Sequence, residues 1–346
     1  MRSRPTVRGP GRWLASLLVV VCAGCGGAAP ATAPSPGPAQ GSSSATSSAP
    51  AAPEAEPASA PGTAQILATR HVGGRTWDLT VRSPAVGADV SVRLLLPVRY
   101  EQEPGRRWPV LYLLHGCCDS FASWTRSTDV EQLSRSTDVL VVMPDGGDVG
   151  FYSDWRRGPR WETFHVIELP ALLSRTYRAS SRQAVAGVSM GGLGALGYAA
   201  RHPGTFAVAA SFSGVVDTQL SDGESQAYLD LAGSYGADGR DLWGDPVTDE
   251  ETWDAHDPIR LAPELRTTRL FVSAGDGRPG PLDPRGTTTD QTEAAIGAEN
   301  EAFVARLRAL HLDAQIDLYG PGTHSWTYWQ RELHRAWPLL RHGLRV

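Results

Sequence analysis

The chain has 346 residues, of which 41% are hydrophobic, and a formal net charge of −5. That charge excludes the strongly basic surface of a nucleic-acid-binding protein and a polybasic membrane patch. Beyond roughly the first sixty residues, the chain is long enough for one large domain with a substantial core.

The first segment, residues 1–24, is typical of a secretory signal. An arginine-rich start precedes the apolar run 13–21, which is too short to span a bilayer comfortably. Small residues then precede Cys25, as in a bacterial lipoprotein signal, so Cys25 is the predicted lipidation site. Cleavage without lipidation, which would release a secreted protein, is the alternative. Both routes predict an extracytoplasmic protein, and the only membrane contact expected is the lipid anchor of the first route.

Residues 25–64 are rich in Ala, Pro and Ser and contain almost no large apolar side chain. Such a segment cannot bury enough surface to fold, so we expect a disordered tether. Residues 65–346 then form the predicted catalytic domain.

Within that domain, strand-like segments alternate with helix-like segments. The helices are predicted at 161–175, 192–200 and 293–310. The strands are predicted at 65–80 (a pair), 90–97, 108–114, 138–143, 184–188, 206–212, 269–274 and 314–319. This alternation indicates an α/β fold with a mostly parallel central sheet and helices on both faces.

The sequence Gly-Val-Ser-Met-Gly-Gly at 187–192 lies between a predicted strand and a predicted helix. It matches G-x-S-x-G, the sharp turn that exposes a nucleophilic serine at the edge of a parallel sheet. Ser189 is therefore the candidate nucleophile, and an ordinary strand-to-helix turn is the alternative.

A serine nucleophile needs a base, and the base needs an orienting acid. In this architecture the acid precedes the base along the chain. His324, in a glycine-containing loop after the last strand, is the candidate base. For the acid, Asp276 directly follows its strand and is favoured by position, with Glu293, Asp283 and Asp290 as alternatives.

The oxyanion of an acyl-transfer reaction needs backbone N–H donors. The Met190 amide and the Cys117 amide are the candidates, one directly after the nucleophile and one in the loop after strand 108–114. Cys117 and Cys118 can form only a bond between neighbours, which is strained. Neither thiol is needed as a nucleophile. No cysteine set is spaced for a metal, and we predict no cofactor.

Several short motifs occur along the domain: Phe-Tyr-Ser-Asp-Trp (151–155), Trp-Glu-Thr-Phe (161–164), Glu-Leu-Pro (168–170), Gly-Val-Ser-Met (187–190), Asp-Leu-Trp-Gly (241–244), His-Asp-Pro (256–258) and Gly-Thr-His-Ser-Trp (322–326). Through these motifs the sequence resembles the esterase D superfamily, and within it the antigen 85 mycolyltransferase branch of actinobacteria, over roughly residues 91–340. The resemblance implies an α/β-hydrolase fold with a Ser-Glu-His triad.

The resemblance changes the preferred acid. In the antigen 85 branch the acid is a Glu followed by Asn seven and Phe ten residues later, and Glu293, Asn300 and Phe303 match that spacing. Glu293 is thus preferred over Asp276. The resemblance also implies that the amides of Cys117 and Met190 form the oxyanion site.

The chain departs from that branch beside the oxyanion glycine. Antigen 85 proteins have an acidic residue and an Arg that help hold trehalose, where this chain has His115 and Cys118. The His-Gly form is that of general esterases in the superfamily. Trp155, Trp326 and His115 are the candidate substrate-binding residues.

These residues predict a secreted or lipid-anchored serine esterase or acyltransferase that acts on small-molecule or lipid esters. One alternative is mycolyltransferase-like transfer to a cell-envelope sugar. A non-catalytic envelope-binding protein and a peptidase are the others. No nucleic-acid partner is expected.

Overall fold

The computed structural model describes residues 63–346. The predicted signal segment, the lipidation site Cys25 and nearly all of the predicted tether lie outside the described residues. Among those residues, no helix combines the length and the apolar character that crossing a bilayer requires.

One nine-stranded sheet lies at the centre of the domain. Its strands are β1 (Gln65–Gly73), β2 (Thr76–Ser83), β3 (Ala88–Leu95), β4 (Trp108–Leu114), β5 (Leu140–Pro144), β6 (Ala179–Val188), β7 (Phe206–Phe212), β8 (Arg269–Gly275) and β9 (Ala314–Gly320). They are ordered β1-β2-β3-β5-β4-β6-β7-β8-β9 across the sheet. Strands β4 to β9 pair in parallel, whereas β1, β2 and β3 add an antiparallel extension next to β5.

Helices cover both faces of the sheet. They are α1 (Ser123–Ser127), α2 (Val130–Leu133), α3 (Leu169–Thr176), α4 (Met190–Arg201), α5 (Asp222–Ser234), α6 (Arg240–Trp243), α7 (Glu250–Asp254), α8 (Pro258–Leu261), α9 (Gln291–Ala309) and α10 (Trp326–Leu344), with a π-helical turn at Thr163–Glu168 and 3-10 turns at Ser134–Ser136 and Ala262–Thr267. Side chains of α3, α4 and α9 fill one core, and those of α1, α2 and α10 fill the other. The prediction of a mostly parallel, doubly covered sheet is confirmed.

Helix α10 was not predicted from the sequence. Its signal lies in Trp329, Leu333, Trp337 and Leu340, which recur at helical spacing and pack against the sheet. The predicted helix at 161–175 was placed correctly, but its first part is a π-helical turn. The helix after the serine begins two residues earlier than predicted, at Met190.

The parallel arrangement decides where chemistry can occur. The carboxyl ends of parallel strands meet at one edge of a sheet, and ligands of open α/β sheets bind there. The loops after β4, β6, β7, β8 and β9 therefore lie at one edge. These loops contain the catalytic candidates from the sequence except Glu293 and Met190, which lie in the first turns of α9 and α4.

Candidate active site

Ser189 lies in a sharp turn between β6 and α4. Its backbone has φ 54° and ψ −122°, a sparsely populated conformation for a residue with a side chain. The turn also needs a glycine at 187, because a Cβ added there would lie 2.0 Å from the Gly191 carbonyl oxygen. This is the strained strand-to-helix turn that presents a nucleophile in α/β-hydrolases.

The side chains of Glu293 and His324 are in direct contact. His324 Nδ1 lies 2.7 Å from Glu293 Oε2, and the Glu293 side chain is completely buried. A carboxylate there accepts the Nδ1 proton, which leaves Nε2 free to take a proton from a serine hydroxyl.

The other carboxylate oxygen of Glu293 is held by three donors. Oε1 accepts from the Gly275 amide at 2.6 Å, from Ser213 Oγ at 2.8 Å and from the Tyr319 hydroxyl at 3.3 Å. Burial and the charge of Glu293 raise the pKa of Tyr319, so its hydroxyl remains a donor. A buried carboxylate is costly unless it is hydrogen-bonded, and here the donors are provided by the ends of β7, β8 and β9.

The remaining acid candidates do not contact the His324 ring. Asp276 bonds to the neighbouring Arg278, both to its amide at 2.9 Å and to its guanidinium. Asp290 caps α9 through the Glu293 amide at 3.1 Å and accepts the His324 amide at 2.9 Å. Asp283 accepts the Thr323 hydroxyl. Asp290 thus holds the backbones of Glu293 and His324 together, a role that was not predicted from the sequence.

The nucleophile and the acid meet at the end of β7. The Ser189 amide donates to the Phe212 carbonyl at 3.1 Å, and the next residue, Ser213, donates to Glu293. In the described part of the chain, the Ser189 hydroxyl and the His324 ring are not hydrogen-bonded to each other. Such bonds are commonly loose without substrate and tighten in the reacting complex, so this arrangement is compatible with a Ser-His pair.

Backbone of the loop after β4 lies directly beside Ser189. A Cβ added to Gly116 would be 3.2 Å from the Cβ of Ser189. Within residues 63–346, the amides of Cys117 and Met190 donate to no acceptor. Two free amides next to a nucleophile can stabilise the negative oxygen of a tetrahedral intermediate.

His115 was predicted to bind substrate, and its position does not fit that role. The side chain is buried, with Nδ1 2.8 Å from the Gly116 carbonyl and Nε2 accepting the Gly146 amide at 2.8 Å. Since a carbonyl only accepts, Nδ1 carries the proton. The Gly116 carbonyl and the Cys117 amide belong to one trans peptide and point in opposite directions. By holding the carbonyl, His115 therefore fixes the direction of the Cys117 amide.

The Phe-Tyr-Ser-Asp-Trp motif contacts the loop after β4 through Tyr152. The Tyr152 hydroxyl donates to the His115 carbonyl at 3.0 Å, and Ser153 accepts the Trp243 indole N–H at 2.9 Å. Asp154 accepts the Thr163 amide at 2.9 Å. The hydrogen bonds of this motif are thus structural ones within the protein. Its sequence alone could not show whether these residues stabilise the loop or contact the substrate.

Both tryptophan candidates are partly exposed. Trp155 donates to the Gly150 carbonyl at 3.1 Å and packs on the core. Trp326 packs edge-on against Trp124 and Trp329, and the ring of Trp329 in turn lies 4.8 Å from that of His324. Their contact with substrate remains a prediction. Among residues 63–346, no group of His, Cys, Asp and Glu is arranged to hold a metal ion.

A strained serine turn, a buried Glu-His pair and a parallel sheet define an α/β-hydrolase-type enzyme. The chain belongs to the Esterase family, described as "Putative esterase", whose model matches residues 83–340. It is 32% identical over 282 residues to the diacylglycerol acyltransferase/mycolyltransferase Ag85A of Mycobacterium ulcerans, covering 77% of this chain and 81% of that protein. For Ag85A of Mycobacterium tuberculosis H37Rv, the identity is 31%, covering 82% and 86%.

Solved structures agree with the fold. MPT51 (FbpC1) of Mycobacterium tuberculosis superposes with a TM-score of 0.64 at 26% identity, over 77% of this chain and 97% of that one. An S-formylglutathione hydrolase from Agrobacterium tumefaciens gives 0.64 at 19% identity, over 81% and 99%, and shows the fold alone. The predicted resemblance to the antigen 85 branch is confirmed, and the chain is a serine hydrolase or acyltransferase.

The choice of acid can be tested with a matched pair of variants. Glu293→Gln should lower kcat on an ester substrate roughly 10³- to 10⁴-fold, because an amide favours the wrong His324 tautomer. Asp276→Asn should change kcat less than about twofold, since its carboxylate pairs with an exposed Arg278. Steady-state kinetics at one pH would measure both, and a dead Asp276→Asn enzyme beside an active Glu293→Gln enzyme would contradict the assignment.

Proposed function

We propose that the protein is a serine esterase that cleaves carboxylic esters through Ser189, Glu293 and His324. The observation that carries this proposal is the 2.7 Å contact between buried Glu293 and His324, on the same sheet edge as Ser189. An oriented imidazole beside a strained serine is an arrangement suited to activating a hydroxyl nucleophile. The three residues together argue against a non-catalytic envelope-binding protein.

The proposed reaction proceeds through an acyl-enzyme. Ser189 Oγ attacks the ester carbonyl while His324 Nε2 takes its proton, and the imidazolium is stabilised by Glu293. The amides of Cys117 and Met190 hold the developing oxyanion. Collapse of the intermediate breaks the bond to the alcohol, which receives the proton from His324 and leaves. A water molecule activated by His324 then releases the acid.

A second candidate is transfer of the acyl group to a cell-envelope sugar. It is supported by 31–32% identity to proteins named as diacylglycerol acyltransferase/mycolyltransferase. Hydrolysis is favoured because His115 and Cys118 stand where the antigen 85 branch has the acidic and basic residues that help hold trehalose. Neither replacement provides a charge pair for a sugar at this position.

We also propose that residues 1–24 direct export, that Cys25 is acylated and that residues 25–64 tether the catalytic domain. The support is the sequence pattern before Cys25 and the Ala/Pro/Ser composition after it. The chain continues into the folded domain at Ala64, which is buried and whose carbonyl accepts from Arg175.

The esterase proposal is tested with p-nitrophenyl esters of increasing acyl length, with and without trehalose, using Ser189→Ala as the control. The wild type should turn over at least one ester, and Ser189→Ala should lose essentially all of that activity. Products are separated to distinguish free acid from acylated sugar. An acylated sugar as the main product would favour the transferase, and an inactive wild type on every ester would refute both proposals.

Anchoring is tested in a bacterial host that processes lipoproteins. Cys25→Ser should move the protein from the membrane fraction to the soluble fraction, because the acceptor thiol is lost. Cys22→Ser, three residues earlier in the same segment, should leave it in the membrane fraction. Equal distribution of the two variants would contradict acylation at Cys25.

A further inference from the structure

The loop that carries the proposed oxyanion amide also contains a disulfide. Cys117 and Cys118, adjacent in sequence, are bonded to each other. We propose that this bond positions the Cys117 amide for oxyanion stabilisation, so that catalysis depends on the oxidised pair. The inference rests on the proposed serine esterase function. In it, Cys118 is a positioning residue that acts through its bond to Cys117.

The backbone around the bond is in an uncommon conformation. Cys118 has φ 65°, in the left-handed region that residues with a side chain seldom adopt. Such conformations persist only where several contacts impose them. Here the Cys118 amide donates to the Asp148 carbonyl at 3.0 Å, while the Asp119 amide makes only a long contact of 3.4 Å with Gly116. The disulfide is the covalent part of this restraint.

The Gly116–Cys117 peptide is thereby held on both sides. On its carbonyl side, His115 Nδ1 donates to the Gly116 oxygen at 2.8 Å. On its amide side, the Cys117 side chain is bonded to Cys118, whose own amide is anchored on Asp148. Rotation of this peptide would change the direction of the Cys117 N–H next to Ser189, whose Cβ would lie 3.2 Å from a Cβ added to Gly116.

The orientation of the Cys117 amide matters because an oxyanion donor acts mainly in the transition state. Loss of one such donor typically lowers kcat by about 10²- to 10³-fold. If the Cys117 amide is present but less well positioned, kcat should fall by less, about tenfold, with little change in KM. This separation of kcat from KM distinguishes positioning of the amide from a contact with the substrate.

The disulfide is accessible to reducing agents. Both cysteines are partly exposed, so a small dithiol can reach the sulfur atoms. A dithiol thiolate attacks one sulfur and breaks the S–S bond. The second thiol of the reagent then closes its own cyclic disulfide and leaves two protein thiols. Outside the cytoplasm, where we propose the protein functions, the oxidised pair is the form that persists.

The test compares Cys117→Ser, Cys118→Ser and the double variant of the full chain, with the ester on which the wild type is most active. Each single variant should lower kcat about tenfold. The double variant should be no worse than either, because all three lack the same bond. Dithiothreitol should lower the wild-type kcat similarly and leave the variants unchanged. Peptide mapping after alkylation without reductant should recover the wild-type peptide unalkylated and two hydrogens lighter.

Thermal unfolding of each variant serves as the folding control. Multiplicative losses in the double variant, or a rise in KM with kcat unchanged, would indicate a packing or substrate-contact role and overturn the inference. Free thiols on both cysteines, or unchanged kcat in Cys118→Ser, would also overturn it. If the wild type shows no activity beyond that of Ser189→Ala, the proposed function itself fails. An active wild type with insensitive cysteine variants refutes only the role of the disulfide.

Discussion

The contact between Glu293 and His324 is the interaction on which the rest of the site depends. A fully buried carboxylate is tolerated only if its oxygens are satisfied, and those of Glu293 receive four donors from four separate places in the chain. Ser213, Gly275 and Tyr319 come from β7, β8 and β9 or the turn directly after them. Removing any one of them would leave part of a charge unpaired in the interior.

That constraint explains why the parallel sheet matters for function. Neighbouring parallel strands deliver their carboxyl ends to the same edge, so Ser213 can bind a carboxylate oxygen of Glu293, eighty positions later in the sequence. Asp290 extends the arrangement, because a single side chain holds the amides of both the acid and the base. On the other side of the nucleophile, His115 and the disulfide fix a peptide rather than a side chain. The Glu293–His324 pair and the proposed oxyanion amide are thus each held by a separate set of contacts.

The fold could be predicted well from the sequence, because strands and helices leave local patterns. Strands β4 and β7 were predicted with their observed bounds, since each is a continuous apolar run. Between Glu293 and Asp276, local pattern favoured Asp276, and only family resemblance favoured Glu293, the residue that contacts His324. Which carboxylate faces the imidazole depends on the turn at 275–277 and on the cap at Asp290, and neither has a periodic signature.

The direction of the His115 side chain also could not be predicted from the sequence. Its sequence position beside the oxyanion glycine is the same whether its ring faces substrate or the protein interior. The direction is decided by Gly146 and Tyr152, which belong to a different loop and contact it only after folding. The state of the adjacent cysteines was similarly open, because a Cys-Cys pair in sequence does not determine whether the bond forms.

The central claim is that Ser189 is an activated nucleophile, and covalent labelling tests it most directly. A fluorophosphonate reacts with a serine hydroxyl only where a neighbouring base activates it. Intact-mass analysis should show one adduct per chain, peptide mapping should place it on Ser189, and Ser189→Ala should remain unlabelled. No adduct on the wild type, or an adduct on Ser213 or another serine, would contradict the account.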